Sequence, residues 1–155
     1  MIKKYWLIKS EPEVFSIQDL NKCNNKTTFW DGVRNYQARN FIRDEMKKGD
    51  GVLFYHSNTE PNSIVGVCEV VKEGYPDHTQ FDSKSIHYFP SSSPENPVWF
   101  MVDIKLQRIF NTPVTLDNIK KNSILKKMRL IQRGNRLSVM PVEKEEWDEI
   151  IKMGS

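Results

Sequence analysis

Two clusters hold the residue types from which recognition chemistry is built. Trp30-Asp31-Gly32-Val33-Arg34-Asn35-Tyr36 interleaves aromatics with an acid, a cation and an amide, and Phe54-Tyr55-His56-Ser57-Asn58 follows two aromatics with an imidazole, a hydroxyl and an amide. Capturing an unstacked base needs apolar faces for stacking, a few polar groups for the base edge, and cations for phosphate. Trp30, Tyr36, Phe54 and Tyr55 offer the faces. Ser10, Asp31, Asn35, Ser57 and Asn58 offer edge contacts, and Arg34, Arg39, Arg133 and Arg136 offer charge. An isolated aromatic is more often plain core, but a core aromatic has no need of Asp, Arg and Asn within a few positions.

Other chemistries find less support. His56, His78, His87, Cys23 and Cys68 show no metal-ligand spacing, so no metal is expected. Neither GxxxxGK[ST] nor GxGxxG occurs, which removes the usual phosphate and dinucleotide loops, and no cofactor is expected. No GxSxG elbow marks a nucleophile. His56 is the one histidine in the clusters, and it carries the alternative reading, an enzyme acting on a modified base.

The bulk composition describes one ordinary domain over 1–155: 38% hydrophobic, 28% charged, net charge +3. The charge is unevenly spread. Between positions 105 and 142 stand nine basic residues against Asp117 alone, leaving the remainder net acidic. Such a segment suits a polyanion, through counterion release from phosphates, or is simply a solvated pair of lysine-rich helices. Two distant cysteines predict neither disulfide framework nor zinc knuckle. The apolar run 5–8 is too short for a secretory leader core, and no stretch reaches the ~20 apolar residues of a membrane span. A cytoplasmic or nuclear location is the expectation.

The elements that must position the clusters follow from pattern. The spacing predicts a buried strand over 5–10 that ends at Glu11-Pro12, and a short helix opened by a Ser16-to-Asp19 capping box. A brief strand over 27–30 follows. Asn35 then caps a helix burying Ala38, Phe41, Ile42 and Met46, with Gly49 as its C-cap and Arg39 on the solvent face. Strands are expected over 51–56, 64–71 and 99–110, and helical turns from Thr115 and Ser123. A break at Gly134, a last strand over 136–140 and a final helix over 143–153 complete the chain. The proline- and serine-rich stretch 74–97 reads as a long functional loop.

The chain also resembles a known family. The carriers are Tyr5-Trp6-Leu7-Ile8-Lys9-Ser10-Glu11-Pro12 with Phe15-Ser16-Ile17, the runs 30–40 and 54–58, Tyr75-Pro76-Asp77, and Arg133-Gly134-Asn135-Arg136-Leu137-Ser138-Val139 with Pro141 and Trp147. In this order they resemble the EVE domain family. The resemblance implies an α+β, PUA-like fold: a small mixed β-barrel with flanking short helices. It implies a non-enzymatic module that reads modified bases such as methylated or hydroxymethylated cytosine, in DNA more than RNA. Carried over, the pocket draws on Ser10, Glu11, Trp30, Asp31, Val33, Arg34, Asn35, Tyr55, His56, Ser57, Asn58 and Ser138. The charge pattern, not the resemblance, assigns the nucleic-acid backbone contacts to Arg39, Lys120, Lys121, Lys126, Lys127, Arg129, Arg133 and Arg136. The chain departs from the family pattern in the long loop, at His78, Ser83 and Phe89-Pro90.

Overall fold

A computed structural model of the chain describes residues 3–155. Six strands form one mixed sheet in the order β2-β5-β4-β3-β1-β6. They are β1 (Tyr5–Ser10), β2 (Thr27–Phe29), β3 (Gly51–His56), β4 (Ser63–Pro76), β5 (Phe100–Thr115) and β6 (Val139–Val142). Four helices flank them: α1 (Ile17–Lys22), α2 (Tyr36–Asn40), α3 (Leu116–Lys121) and α4 (Lys144–Gly154). Next to the edge strand β6, β1 lies antiparallel to β6 and parallel to β3, with Ser10 opposite His56. Burial on both faces explains the near-continuous apolar runs of β1 and β3.

The sheet is PUA-like but open: β2 and β6 are its two edges and do not pair, so the expected barrel is a curl rather than a closed ladder. The curl is steep. Trp30, just past edge strand β2, lies three strand positions from Phe54 on β3, about 14 Å in a flat sheet, yet the two rings are 5.5 Å apart. Register shifts along the β4–β5 ladder bend the long strands that span this distance. One hydrophobic cluster, from Trp6 and Leu7 through Ile104 to Ile150, fills the concave side and the space under the helices.

The capping box forms as expected, with Ser16 and Asp19 each satisfying the other's backbone N–H. Asn35 caps α2, its side-chain oxygen accepting from the Ala38 N–H at 2.9 Å. The helix then widens into a π turn, Phe41–Glu45, closed by Met46 N–H to Phe41 O at 2.9 Å. It therefore ends at Met46, and Gly49 (φ +96°) serves the following turn instead of a C-cap. That turn is organised by buried Asp50, whose carboxylate accepts from the Trp6 indole N–H at 2.9 Å and the Lys47 N–H at 2.9 Å.

Several strand boundaries differ from the sequence pattern. β4 runs on to Pro76, β5 to Thr115, and the last strand spans Val139–Val142 rather than 136–140. Beyond Pro76 a 3-10 turn (His78–Phe81) opens the long loop. Gln80 closes it: buried, its amide donates to the carbonyls of Asp77 and Trp99 and accepts from the N–H groups of Val98 and Trp99.

Candidate nucleic-acid interface

The parallel pairing of β1 and β3 brings several of the expected residues to one end of the sheet. Ser57 N–H donates to Ser10 O at 2.9 Å, and Lys9 N–H donates to Ser138 O at 2.9 Å. The Asn58 side-chain amide donates to the Glu11 carboxylate at 2.9 Å, with Asn58 in the left-handed region (φ 55°). Ser10, Glu11, Ser57, Asn58 and Ser138 are therefore neighbours. After Glu11-Pro12 the chain folds back in a tight turn, both Val14 and Phe15 N–H bonding to Glu11 O. The Ser10 hydroxyl donates to Phe15 O, which leaves its oxygen lone pairs as acceptors.

Beside this junction opens a cleft of about 460 Å³ lined by Ser10, Val14, Phe15, Thr28, Phe29, Trp30, Asp31 and His87. Trp30 is held by edge contacts from Phe15 (6.1 Å, 71°) and Phe54 (5.5 Å, 78°), and its backbone N–H is anchored on Val102 O. The indole is only partly buried, so it retains surface for a ligand. Val14 and Phe29 expose large apolar surface at the same cleft, 79% and 44%.

The segment after Asp31 is fixed by a buried clasp. Asp77, without solvent access, accepts from the Gly32 N–H at 2.7 Å, the Thr79 N–H at 2.8 Å and the Arg34 guanidinium at 3.1 Å. Burial alone would raise the Asp77 pKa, but the hydrogen bonds from Thr79, Gly32 and Arg34 outweigh it and hold the carboxyl below its ordinary value. Arg34 also donates to Thr79 Oγ1 and to His87 O, tying the loop's His87 to the cleft. Gly32 is required twice over: φ is +79°, and a Cβ there would lie 2.7 Å from His87 Nε2.

The remaining expected residues fall elsewhere. Tyr55 and Val33 are buried in the core, so neither presents a face to a ligand. Arg34 spends its guanidinium on the clasp, which makes it a positioning residue. His56 is buried and its Nε2 accepts from the Ile17 N–H at 3.1 Å, a bond only the neutral ring makes there. Burial lowers its pKa, and it borders a different hollow, among prolines and threonines, away from Trp30. Because that shift favours the neutral folded form, His56 supports stability above its unfolded pKa of ~6.5 and withdraws support as pH falls through the folded value. The thermal midpoint should therefore drop between about pH 7 and 5, and His56→Gln, which keeps an acceptor, should flatten that drop in a pH series of melting curves.

A second hollow, of about 400 Å³, is basic. Asn35, Gln37, Gln132, Gly134 and Asn135 line it together with Arg129, Arg133 and Arg136. Asn135 shapes the loop, donating to Arg129 O and accepting from Leu137 N–H at 3.1 Å, while Gly134 turns it at φ +81°. The three arginines are exposed, and no ion pair engages them among the described residues. The hollow neighbours the Trp30 cleft along two paths, the segment from Asp31 to Asn35 and the contact of Ser138 with β1. Lys120, Lys121, Lys126 and Lys127 are exposed outside it, and Arg39 instead donates to Val98 O and lies over Tyr36.

Sequence reasoning missed Val14, Phe15, Thr28, Phe29 and His87 as cleft residues. The flanks of the recognised motifs contain the first four; His87 arrives only through the Arg34 contact. Among the described residues no cluster of His, Cys, Asp and Glu suits a metal ion, and no helix is long and apolar enough to cross a membrane.

Comparison with known proteins places these features in a family. The family model described as EVE domain matches residues 4–153. Thymocyte nuclear protein 1 of Gallus gallus is 47% identical over 166 residues, 96% of this chain and 68% of that protein. The crystal structure of the human THYN1 protein in complex with 5-methylcytosine-containing DNA superimposes with a TM-score of 0.92 at 44% identity, covering 99% of this chain and 98% of that one. A hypothetical protein from Leishmania major gives a TM-score of 0.92 at 46% identity over 99% of this chain and 95% of that one.

Proposed function

The chain belongs to the EVE domain family, and from that premise we propose that it is a non-enzymatic DNA-binding module that captures a modified base, a 5-substituted cytosine, in the Trp30 cleft. The observation that carries the reading is the cleft itself: a partly buried indole, a carboxylate at Asp31 that no ion pair engages among the described residues, and exposed apolar side chains in one cavity of base-binding size. The base stacks against Trp30. Asp31 accepts from the exocyclic amino group, which suits cytosine, and Ser10 offers a further acceptor. Val14 and Phe29 meet the 5-methyl group, an apolar contact that discriminates against plain cytosine. The DNA bound by the similar human protein supports the ligand class. Arg129, Arg133 and Arg136 neutralise phosphates beside the extruded nucleotide. A nuclear location in a eukaryotic cell fits this role and the names of the relatives.

Fluorescence anisotropy tests the reading, with single- and double-stranded oligonucleotides carrying one 5-methylcytosine or plain cytosine, at two salt concentrations. Tighter binding of the methylated oligonucleotide, weakening as salt rises, is the expected result. Equal affinity for both would remove base reading, and no binding would remove the function. The arginine hollow makes its own prediction: if Arg133 and Arg136 each neutralise one phosphate of a duplex, Arg133→Ala with Arg136→Ala lowers the slope of log K against log salt by about 1.8. An unchanged slope would move the phosphate contacts elsewhere.

A further inference from the structure

His87 borders not only the Trp30 cleft but a further hollow, of about 330 Å³ and distinct from the arginine hollow, which the reading above leaves unused. Its walls are aromatic. Tyr36 stacks on Trp99 with ring centroids 4.8 Å apart and planes tilted by 34°, and Phe89 meets Trp99 edge-on at 5.4 Å. Tyr88 and the exposed Ile86 complete the lining. The Arg34 guanidinium lies 5.3 Å from the Trp99 ring centroid, and that of Arg39 5.1 Å from the Tyr36 centroid.

Packing does not account for this arrangement. Tyr36 and Tyr88 are 57% and 42% exposed, so their rings gain little from burial where they stand. Trp99 is buried, yet its indole N–H has no acceptor among the described residues. An unpaired buried donor is costly, so a ligand that brings an acceptor is rewarded. Flat apolar walls, guanidinium groups and a waiting donor together suit a nucleobase, whose ring nitrogens and carbonyls accept and whose faces stack. The placement suits a nucleotide chain as well: Asn35 and Gln37, on either side of Tyr36, line the arginine hollow, and His87 adjoins the cleft.

Building on the proposed capture of a base by Trp30, we propose that this slot takes the unpaired base of the nucleotide next to the captured one on the same strand, stacked on the exposed ring of Tyr36, with Trp99 packed behind it. The protein thus reads a dinucleotide step. The test uses anisotropy with single-stranded oligonucleotides that carry one 5-methylcytosine and an abasic site on its 5′ or its 3′ side, against wild type, Tyr36→Ala and Tyr88→Ala. Both variants alter exposed side chains, and circular dichroism checks their fold. One of the two abasic positions should weaken wild-type binding about five- to 150-fold. Tyr36→Ala should lose a similar factor on the intact oligonucleotide and become indifferent to that abasic site. Wild-type binding unaffected by either abasic site, while still dependent on Trp30, overturns the slot and leaves base capture standing. Binding confined to duplex overturns the slot too, since the neighbouring base is then paired. Sensitivity that persists in both tyrosine variants assigns the neighbour elsewhere. Failure of wild type to bind any DNA removes both proposals.

Discussion

Trp30→Ala should weaken binding of 5-methylcytosine DNA about five- to 150-fold, because stacking on an aromatic side chain is worth ~1 to 3 kcal/mol per base. The loss should fall on the methylated and plain oligonucleotides unequally. A plain cytosine held mostly through phosphates has less to lose, so the preference between the two collapses along with the affinity. Trp30→Phe, which keeps a face, should recover part of both. The salt slope should stay as in wild type, since the arginine hollow is untouched. Truncation also removes the edge contacts with Phe15 and Phe54, so some stability is lost. Circular dichroism and a melting curve separate that loss from the binding effect. Unchanged affinity in a folded variant would show that the base is held elsewhere.

The second large effect is on stability. Asp77→Ala removes the acceptor shared by Gly32, Thr79 and Arg34, leaving two N–H groups and a guanidinium without their partner. Breaking a buried pair in this way costs about 3 to 5 kcal/mol, a large share of the ~5 to 15 kcal/mol that holds a domain together. The Arg34 side chain keeps 22% of its exposure and can recruit water, which favours the lower end. Urea unfolding at neutral pH should show the loss as a fall in midpoint. The sign of the pH dependence follows from the lowered Asp77 pKa: its contribution is present above the unfolded carboxyl value of ~3.9 and disappears as pH falls through the folded value. Wild type and Asp77→Ala should therefore converge in acid. A gap that persists there would show that packing, rather than the charged hydrogen bonds, holds the loop.

What the sequence disclosed and what it withheld divide along the range of the interactions. β1, β3, the Ser16 capping box and the Asn35 cap are written in adjacent residues, and all four appear where the pattern places them. The π turn left no trace, because Ala38, Phe41, Ile42 and Met46 keep helical spacing whether a bond spans four residues or five. β5 continues past Asn111-Thr112-Pro113, a run that looks like a turn. Proline is tolerated there because β2 pairs only with 103–105, leaving that flank of β5 without a partner to miss the N–H. Leu137 and Val139 alternate like a strand, but Asn135 holds the Leu137 N–H in a loop bond, which delays β6. Within the site, the motif segments 30–35 and 54–58 could be named from their composition. Their sorting into cleft-lining Trp30 and Asp31, core Tyr55 and Val33, and clasp-forming Arg34 depended on contacts distant in sequence, those of Arg34 being with Asp77 and His87, more than 40 residues away in the chain.

An unclosed sheet also poses a colloidal problem that a complete barrel avoids, since each free edge is a template on which another molecule can add a strand. Here both edges are poor templates. β2 is three residues long, β6 is four with Pro141 in its midst, and where β5 runs on beyond β2 its free flank is interrupted by Pro113. Self-association through the backbone is thus suppressed by brevity and imino acid rather than by closure. The sheet stays open without presenting a long unbroken edge to a second molecule.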